Sequence, residues 1–326
     1  MTEEEDKNKE ERKLAFNDES WRIAQDYAKL YGDFANIFTA LIRQLNNSPI
    51  QEAGKFSQSV TWQLRRILKS EACQAPIFFA GKQFRADLLE QDEIDDVLDV
   101  ARVFTPMELA AILGSLYLIR RAKKLSAESE FEFIENDLAR RANIATVIGD
   151  LVPNIGLGLA IVVASIKHVA MGAYLIDDAK VFSSYRKYLK TTNKEVDLDY
   201  EYRQWGCTHP EIASKLLVII GFSAELANSI KNGLLLYYGY PQNIEHSKKE
   251  LAVYNLELKL KETINREAIT EISDPNFIMP MENEKIFQTR VEKFLDENYT
   301  DSWFKKVSRD MDSDSAPEMN NLREQS

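Results

Sequence analysis

The amino-acid sequence predicts an all-α protein built of many helices. Apolar residues recur at steps of three and four along most of the chain, and capping or breaking residues fall where those stretches end. No run of alternating βα units appears. Residues 1–15 read as a mixed-charge disordered tail, and the first helix follows with Asn17, Asp18 or Ser20 as candidate caps. From Trp21 the apolar positions are Trp21, Ala24, Ala28, Tyr31, Ala35, Phe38, Ile42 and Leu45, ending at Asn46-Asn47-Ser48-Pro49. The spacing predicts one helix of about seven turns. Its apolar face is either an arm of the core or, because the pattern also suits a short coiled coil, a homodimer seam.

A second helix is predicted around Phe56–Ser70, then a short apolar turn at Ala75–Gly81. The segment Gln83–Phe104 is amphipathic and acidic. A calcium loop needs alternating oxygens around a central glycine, which this run lacks, so it reads as a solvated helix face. Thr105-Pro106-Met107-Glu108 combines an N-cap, proline at the first helical position and a capping-box acid, opening a helix through Arg121. Another helix spans 131–151, is broken by Pro153 and Gly156, and gives way to an apolar helix reaching Ile176. Tyr185, Tyr188 and Leu189 close a further turn before a loop at Thr191–Asp199. Helices then run His209–Ile220 and Ser223–Leu236, with Gly221 as the stop between them and a loop at Tyr237–Pro241. The stretch His246–Ile272 reads as helix, although Leu256, Leu258 and Leu260 alternate with charges and leave a strand open there. A short helix near Glu284–Asn298 comes last, and 310–326 reads as a disordered tail.

The chain has 326 residues, enough for a sizeable core, and carries 52 acidic against 41 basic residues, a formal charge of −11. It shows no long Lys/Arg cluster interleaved with aromatics, so nucleic acid is not an expected partner. Cys73 and Cys207 cannot form a disulfide framework or a Cys-rich zinc site, and residues 3–13 are almost wholly charged, unlike a signal peptide; a cytoplasmic location is expected. Ile155–Ile176 is long enough to cross a bilayer but carries Lys167 and His168 in mid-span. A charge there costs about 2.5–3.5 kcal/mol on the insertion scale, so the stretch reads as a buried helix and no membrane span is expected.

Two motifs carry what the sequence says about function. Residues 160–170 read Ala-Ile-Val-Val-Ala-Ser-Ile-Lys-His-Val-Ala, and residues 205–217 read Trp-Gly-Cys-Thr-His-Pro-Glu-Ile-Ala-Ser-Lys-Leu-Leu. The first resembles the apolar helix of the HD-related output domains, the HDOD family of bacterial signalling proteins, which often reads Ala-Phe-Leu-x-Gly-Leu-Leu-His-Asp-Ile-Gly. The second is similar to that family's acidic-x-x-x-Phe-Gly-x-x-His-x-x-x-Gly-x-x-Leu-Leu. Gly221-Phe222 to Ile230 resembles the segment that follows. The resemblance covers about 130–233 and implies an HD-like lobe over 126–300 packed on an N-terminal helical lobe over 16–125.

Catalytic HD domains bind metal through adjacent His and Asp, a neutral imidazole and a carboxylate on one ion. Here the corresponding doublet is Lys167-His168. The first metal histidine falls near Asn136, and the later histidine doublet reads Asn232-Gly233. The resemblance therefore implies a degenerate site without metal or cofactor and a non-enzymatic protein that works by binding another signalling protein. The alternative is a sensor that takes a nucleotide second messenger in the vestigial pocket around Asn136, Lys167, His168, His209 and Asn232. For His209, at a helix start, the structural expectation is that it helps tie up free N–H groups and packs against Trp205. For Lys167 it is that the ammonium reaches solvent or a carboxylate such as Asp177 or Asp178, with an anion contact in the pocket as the functional alternative.

Overall fold

A computed structural model describes residues 17–90, 96–126, 128–240, 245–266 and 275–295, without the side chains of 128–130 and 132–133. The tails predicted at 1–15 and 310–326 lie outside the described residues. Fifteen α-helices and one 3-10 turn make up the described structure, with no strand among the described residues. The helices are α1 Asp18–Lys29, α2 Asn36–Asn46, α3 Gln58–Ile67, α4 Glu71–Phe84, α5 Ala86–Leu89, α6 Val97–Arg102, α7 Pro106–Leu125 and α8 Glu128–Leu151. They continue with α9 Leu157–Asp177, α10 Ala179–Thr192, α11 Leu198–Trp205, α12 His209–Ile220, α13 Ala224–Tyr237, α14 Lys248–Asn265 and α15 Met281–Leu295.

The apolar helix α9 is the axle. Its mixed Leu, Ile, Val and Ala sequence has no polar face, so it is stable only when covered all round. It is packed by α7 and α8 along its length, with α12, α10, α1 and α14 closing the remaining sides. Among the described residues it is the one helix long and apolar enough to cross a membrane, and it is mostly buried in the fold. Ser165 hydroxyl donates to Ile161 carbonyl at 2.7 Å and lies 2.8 Å from the Ser115 hydroxyl of α7, which can donate to it, so both hydroxyls of this contact are hydrogen-bonded. A single apolar core runs from Ala24 to Phe294 and joins the stretches 16–125 and 126–300.

Several elements depart from the sequence reading. The predicted Trp21–Leu45 helix is two helices. Gly32, at φ +72°, turns the chain after α1, and the guanidinium of Arg121 from α7 donates to Tyr31 carbonyl at 2.6 Å, satisfying a terminal acceptor. Most of the apolar positions are used within the chain itself: Ala24, Ala28, Tyr31, Phe38, Ile42 and Leu45 are buried, whereas Trp21 is half-buried and Ala35 is exposed. Most of the face weighed as a homodimer seam is thus spent on the chain's own core.

The expected turn at Ala75–Gly81 is helical, lying inside α4 around Pro76. Proline lacks the N–H that would reach Ala72 carbonyl, and Arg120 of α7 supplies that donor instead. Tyr185, Tyr188 and Leu189 belong to α10, a full helix rather than one turn. The predicted loop Thr191–Asp199 contains the end of α10 and the start of α11, which the sequence reading passed over. The open choice at Leu256–Leu260 resolves as helix. The end predicted at Ile272 and the acidic run through Glu93 and Asp95 fall partly outside the described residues. Gly221 does stop α12: its φ is +115°, and a Cβ there would sit 2.4 Å from Thr39 carbonyl of α2, so only glycine allows that approach.

Candidate functional site

Lys167 and His168 are neighbours in the middle of α9. Successive helical residues project about 100° apart, so the two engage different partners. His168 Nε2 lies 2.6 Å from Asp137 Oδ2 on α8. Lys167, only 3% exposed, donates to Glu195 Oε1 in the connection between α10 and α11. The expected partners Asp177 and Asp178 are ten residues further along the axis, about 15 Å away, beyond a lysine's reach. Asp177 instead accepts from Tyr27, and Asp178 caps α10.

Glu195 collects three donors. Besides Lys167 it accepts from Arg141 Nη1 at 3.2 Å and from Tyr237 hydroxyl at 2.9 Å. Arg141, one turn after Asp137 on α8, donates through Nη2 to Glu257 Oε2 of α14 at 2.6 Å. Glu257 is completely buried and Arg141 is 5% exposed. The electrostatics follow from this geometry. Burial alone would raise Glu195, but Lys167 and Arg141 hold its carboxyl well below the ordinary range. Asp137 is likewise held low, the burial effect being overridden by His168, Arg141 and Lys167. Burial would lower Arg141, and Glu257, Glu195 and Asp137 raise it instead. The phenols of Tyr237 and Tyr238 are pushed up, first by burial and then by Glu195 and Glu257.

A second buried cluster surrounds His209. Its backbone N–H donates to Glu201 Oε2 at 2.8 Å and its Nδ1 lies 2.9 Å from the same oxygen. Tyr185 hydroxyl donates to the other Glu201 oxygen at 2.8 Å, and Tyr174 hydroxyl to Cys207 carbonyl at 3.0 Å. The His209 ring meets Tyr238 edge-on with centroids 5.4 Å apart, while Trp205 stacks on Tyr174 at 4.0 Å. The expected His209–Trp205 packing is therefore replaced by Tyr238 on one side and Glu201 on the other. Helix α12 is capped by Thr208 and Glu211: the Glu211 carboxylate accepts from Thr208 N–H and hydroxyl, both at 2.9 Å. The Cys207 thiol is pushed up by burial and by Glu211 and Glu201, and that of Cys73 by burial, so both are held as thiols.

Tyr238 links the two clusters, since Lys167 Nζ also lies 5.4 Å from its ring centroid. Of the five residues singled out from sequence, Lys167, His168 and His209 are thus buried in connected or adjoining networks. Asn136 is exposed. Asn232 donates to Glu250 of α14 at 2.7 Å, outside the network. Asp137, Arg141, Glu195, Glu201 and Glu257 were missed. Asp137 is the neighbour of the nominated Asn136, and Glu201 stands four residues before Trp205-Gly206, at the acidic position of the motif. Nothing in the sequence pairs Glu257 with Arg141.

Chemically, the locus is a set of ion pairs in which the cations are buried and two of the carboxylates, Asp137 and Glu195, reach the surface. A divalent ion beside Lys167 would have to displace the ammonium from Glu195 and then share that carboxylate with Arg141. No group of three or more His, Cys, Asp or Glu side chains placed to hold a metal occurs among the described residues. Beside the network opens a cleft of about 330 Å³ in which Glu195, Asp197 and Asp199 face Lys194 and Lys261 between tyrosines. Lys194 is already bound to Asp197 at 2.7 Å. No protein-family model, curated protein or solved structure matches the chain.

Proposed function

We propose that the chain is a cytoplasmic, non-catalytic signalling scaffold that acts by binding another protein. The carrying observation is on the surface near α15. Ile278, Met281 and Ile286 stand 56%, 88% and 48% exposed, beside a cleft of about 170 Å³ lined by Val152, Leu258, Phe277 and Met279 and framed by Lys259 and Glu284. Exposed large apolar side chains next to a cleft of mixed apolar and charged lining have the make-up of a protein interface. The resemblance to HDOD proteins supports the same reading, as does the occupation of the vestigial metal locus by Lys167 and its partners.

The second reading, a nucleotide sensor, draws on buried polar atoms of the network that lack a protein partner, among them Tyr238 hydroxyl and Glu257 Oε1. The adjoining cleft weighs against it, because three carboxylates against two lysines repel phosphates. The test is affinity capture from the native cell with the full chain and with an I278D/M281D variant. A partner recovered with the first and lost with the second supports the scaffold. Identical recoveries, or metal-dependent hydrolysis of a phosphodiester by the purified chain, would overturn it.

A further inference from the structure

Away from that network, α1, α12 and α13 meet around Trp21. Ser20 hydroxyl donates to Glu211 at 2.7 Å and pins the first turn of α1 to the start of α12. The next residue, Trp21, is then held under two lysines. Lys215 Nζ of α12 lies 3.8 Å from the indole centroid and Lys231 Nζ of α13 lies 4.8 Å from it. Both lysines are half-buried, and neither has a carboxylate within salt-bridge distance among the described residues.

Two ammonium groups gathered on one indole, with no carboxylate within salt-bridge distance among the described residues, are unusual in a chain of net charge −11. The indole holds them through its quadrupole but brings no formal charge to neutralise them. The carboxylates whose charge reaches them, Glu211 for both and Glu250 for Lys231, point their oxygens at other donors and make no direct ion pair with either lysine. Glu211 is bound by Ser20 and Thr208. Glu250, felt by Lys231, is bound by Asn232 and by the backbone of Ser247. The consequence is visible in both amines. Burial lowers the Lys215 and Lys231 ammonium pKa values from their ordinary range, for Lys215 the charge of Lys231 lowers it further, and Glu211, with Glu250 at Lys231, only partly opposes this.

We propose that Lys215 and Lys231, positioned by Trp21, form a binding site for a dianionic phosphoryl group. The match is in charge and donors. A phosphate monoester carries close to two negative charges at neutral pH and several acceptor oxygens, enough to engage both ammoniums directly, whereas a lone carboxylate carries one charge. Each lysine offers up to three N–H donors as a point charge, the way lysine binds phosphate. Such a group is found on a small phosphate ester or on a phosphorylated peptide.

The test follows the tryptophan indole N–H signals of the ¹⁵N-labelled full chain, the Trp21 signal being the one lost in Trp21→Phe. Inorganic phosphate is titrated against chloride at constant ionic strength. The expected result is a saturable shift of the Trp21 signal, with affinity reduced about tenfold or more in Lys215→Gln and in Lys231→Gln while the rest of the spectrum keeps its dispersion. A phosphoserine peptide is the second probe: tighter binding than free phosphate assigns the group to a protein, and equal binding assigns it to a small ester. The proposal is overturned if phosphate gives no shift up to about 20 mM, if acetate gives the same shift, or if the double Lys→Gln variant, folded by the same spectrum, responds as the parent does.

Discussion

Replacing Glu257 by alanine tests whether the buried ion network is closed. Glu257 is fully buried and binds Arg141 at 2.6 Å. In the variant, Arg141 and Lys167 must share Glu195, which is already 3.2 Å from Arg141 and bonded to Lys167. Asp137, the next carboxylate, is held by His168. One cation is therefore left under-compensated, and Arg141 itself is buried. The Coulomb interaction of two unit charges at about 4 Å is about 4 kcal/mol at an effective dielectric constant of about 20, and breaking one side of a buried pair costs about 3–5 kcal/mol. The two figures agree, so a loss of about 3–5 kcal/mol is expected. Urea unfolding followed by far-ultraviolet circular dichroism reads it as a lower midpoint at unchanged slope. The control is the double variant R141M/E257M, which removes both charges and fills the space; it should recover most of the loss or exceed the parent. A loss below about 1 kcal/mol, the scale of an exposed pair, would show that water reaches Arg141 and would refute the reasoning. A double variant as unstable as E257A would place the effect in packing rather than charge.

Three further outcomes follow from the same geometry. Glu195 and Asp137 titrate below their unfolded values in the folded chain, so their contribution is present above an unfolded pKa of about 4 and is lost as pH falls through the depressed folded values. Melting temperature should accordingly fall more steeply in acid for the parent than for E195Q, and parallel curves would sink the assignment. Phe38 is buried and stacked on Tyr117 with centroids 4.4 Å apart, so Phe38→Asp should lower stability by several kcal/mol and promote aggregation; a folded variant sedimenting at half the parent's mass would instead restore the dimer seam. Purified chain exposed to manganese, iron or zinc should retain no stoichiometric ion by elemental analysis, and one tight ion per chain that disappears in His168→Ala would overturn the non-catalytic reading.

Helix spacing and capping were legible in the sequence because they are local. Thr105 with Pro106 and Glu108 opened α7 as read, and Gly221 ended α12. The readings that missed involve distant groups. Pro76 signals a break unless Arg120, on another helix, takes over the orphaned Ala72 carbonyl. Apolar periodicity runs straight through Tyr31, and only the glycine beside it, with Arg121 at its carbonyl, marks the change of direction. The site behaved the same way. Lys167, His168 and His209 stood out because charge and imidazole are conspicuous in apolar helices. Their partners Glu195, Asp137 and Glu201 look like ordinary surface acids until folding brings four helices and a loop together. A formal resemblance named the locus, but which carboxylate answers which cation is a fact of tertiary structure.

The clasp between Ser20 and Glu211 has a consequence for how the chain is made. These residues are 191 positions apart, and α1 also leans on α9 through Tyr31 hydroxyl and Val169 carbonyl. During synthesis at about 5–20 residues per second, α1 waits on the order of ten to forty seconds before its partner helix exists. Over that interval Ala24, Ala28 and Tyr31 face solvent or a chaperone. Closure of this long loop is expected to come late, because contacts of high sequence separation require a large entropy loss before they return any energy. A helix made early is thus among the last to find its place.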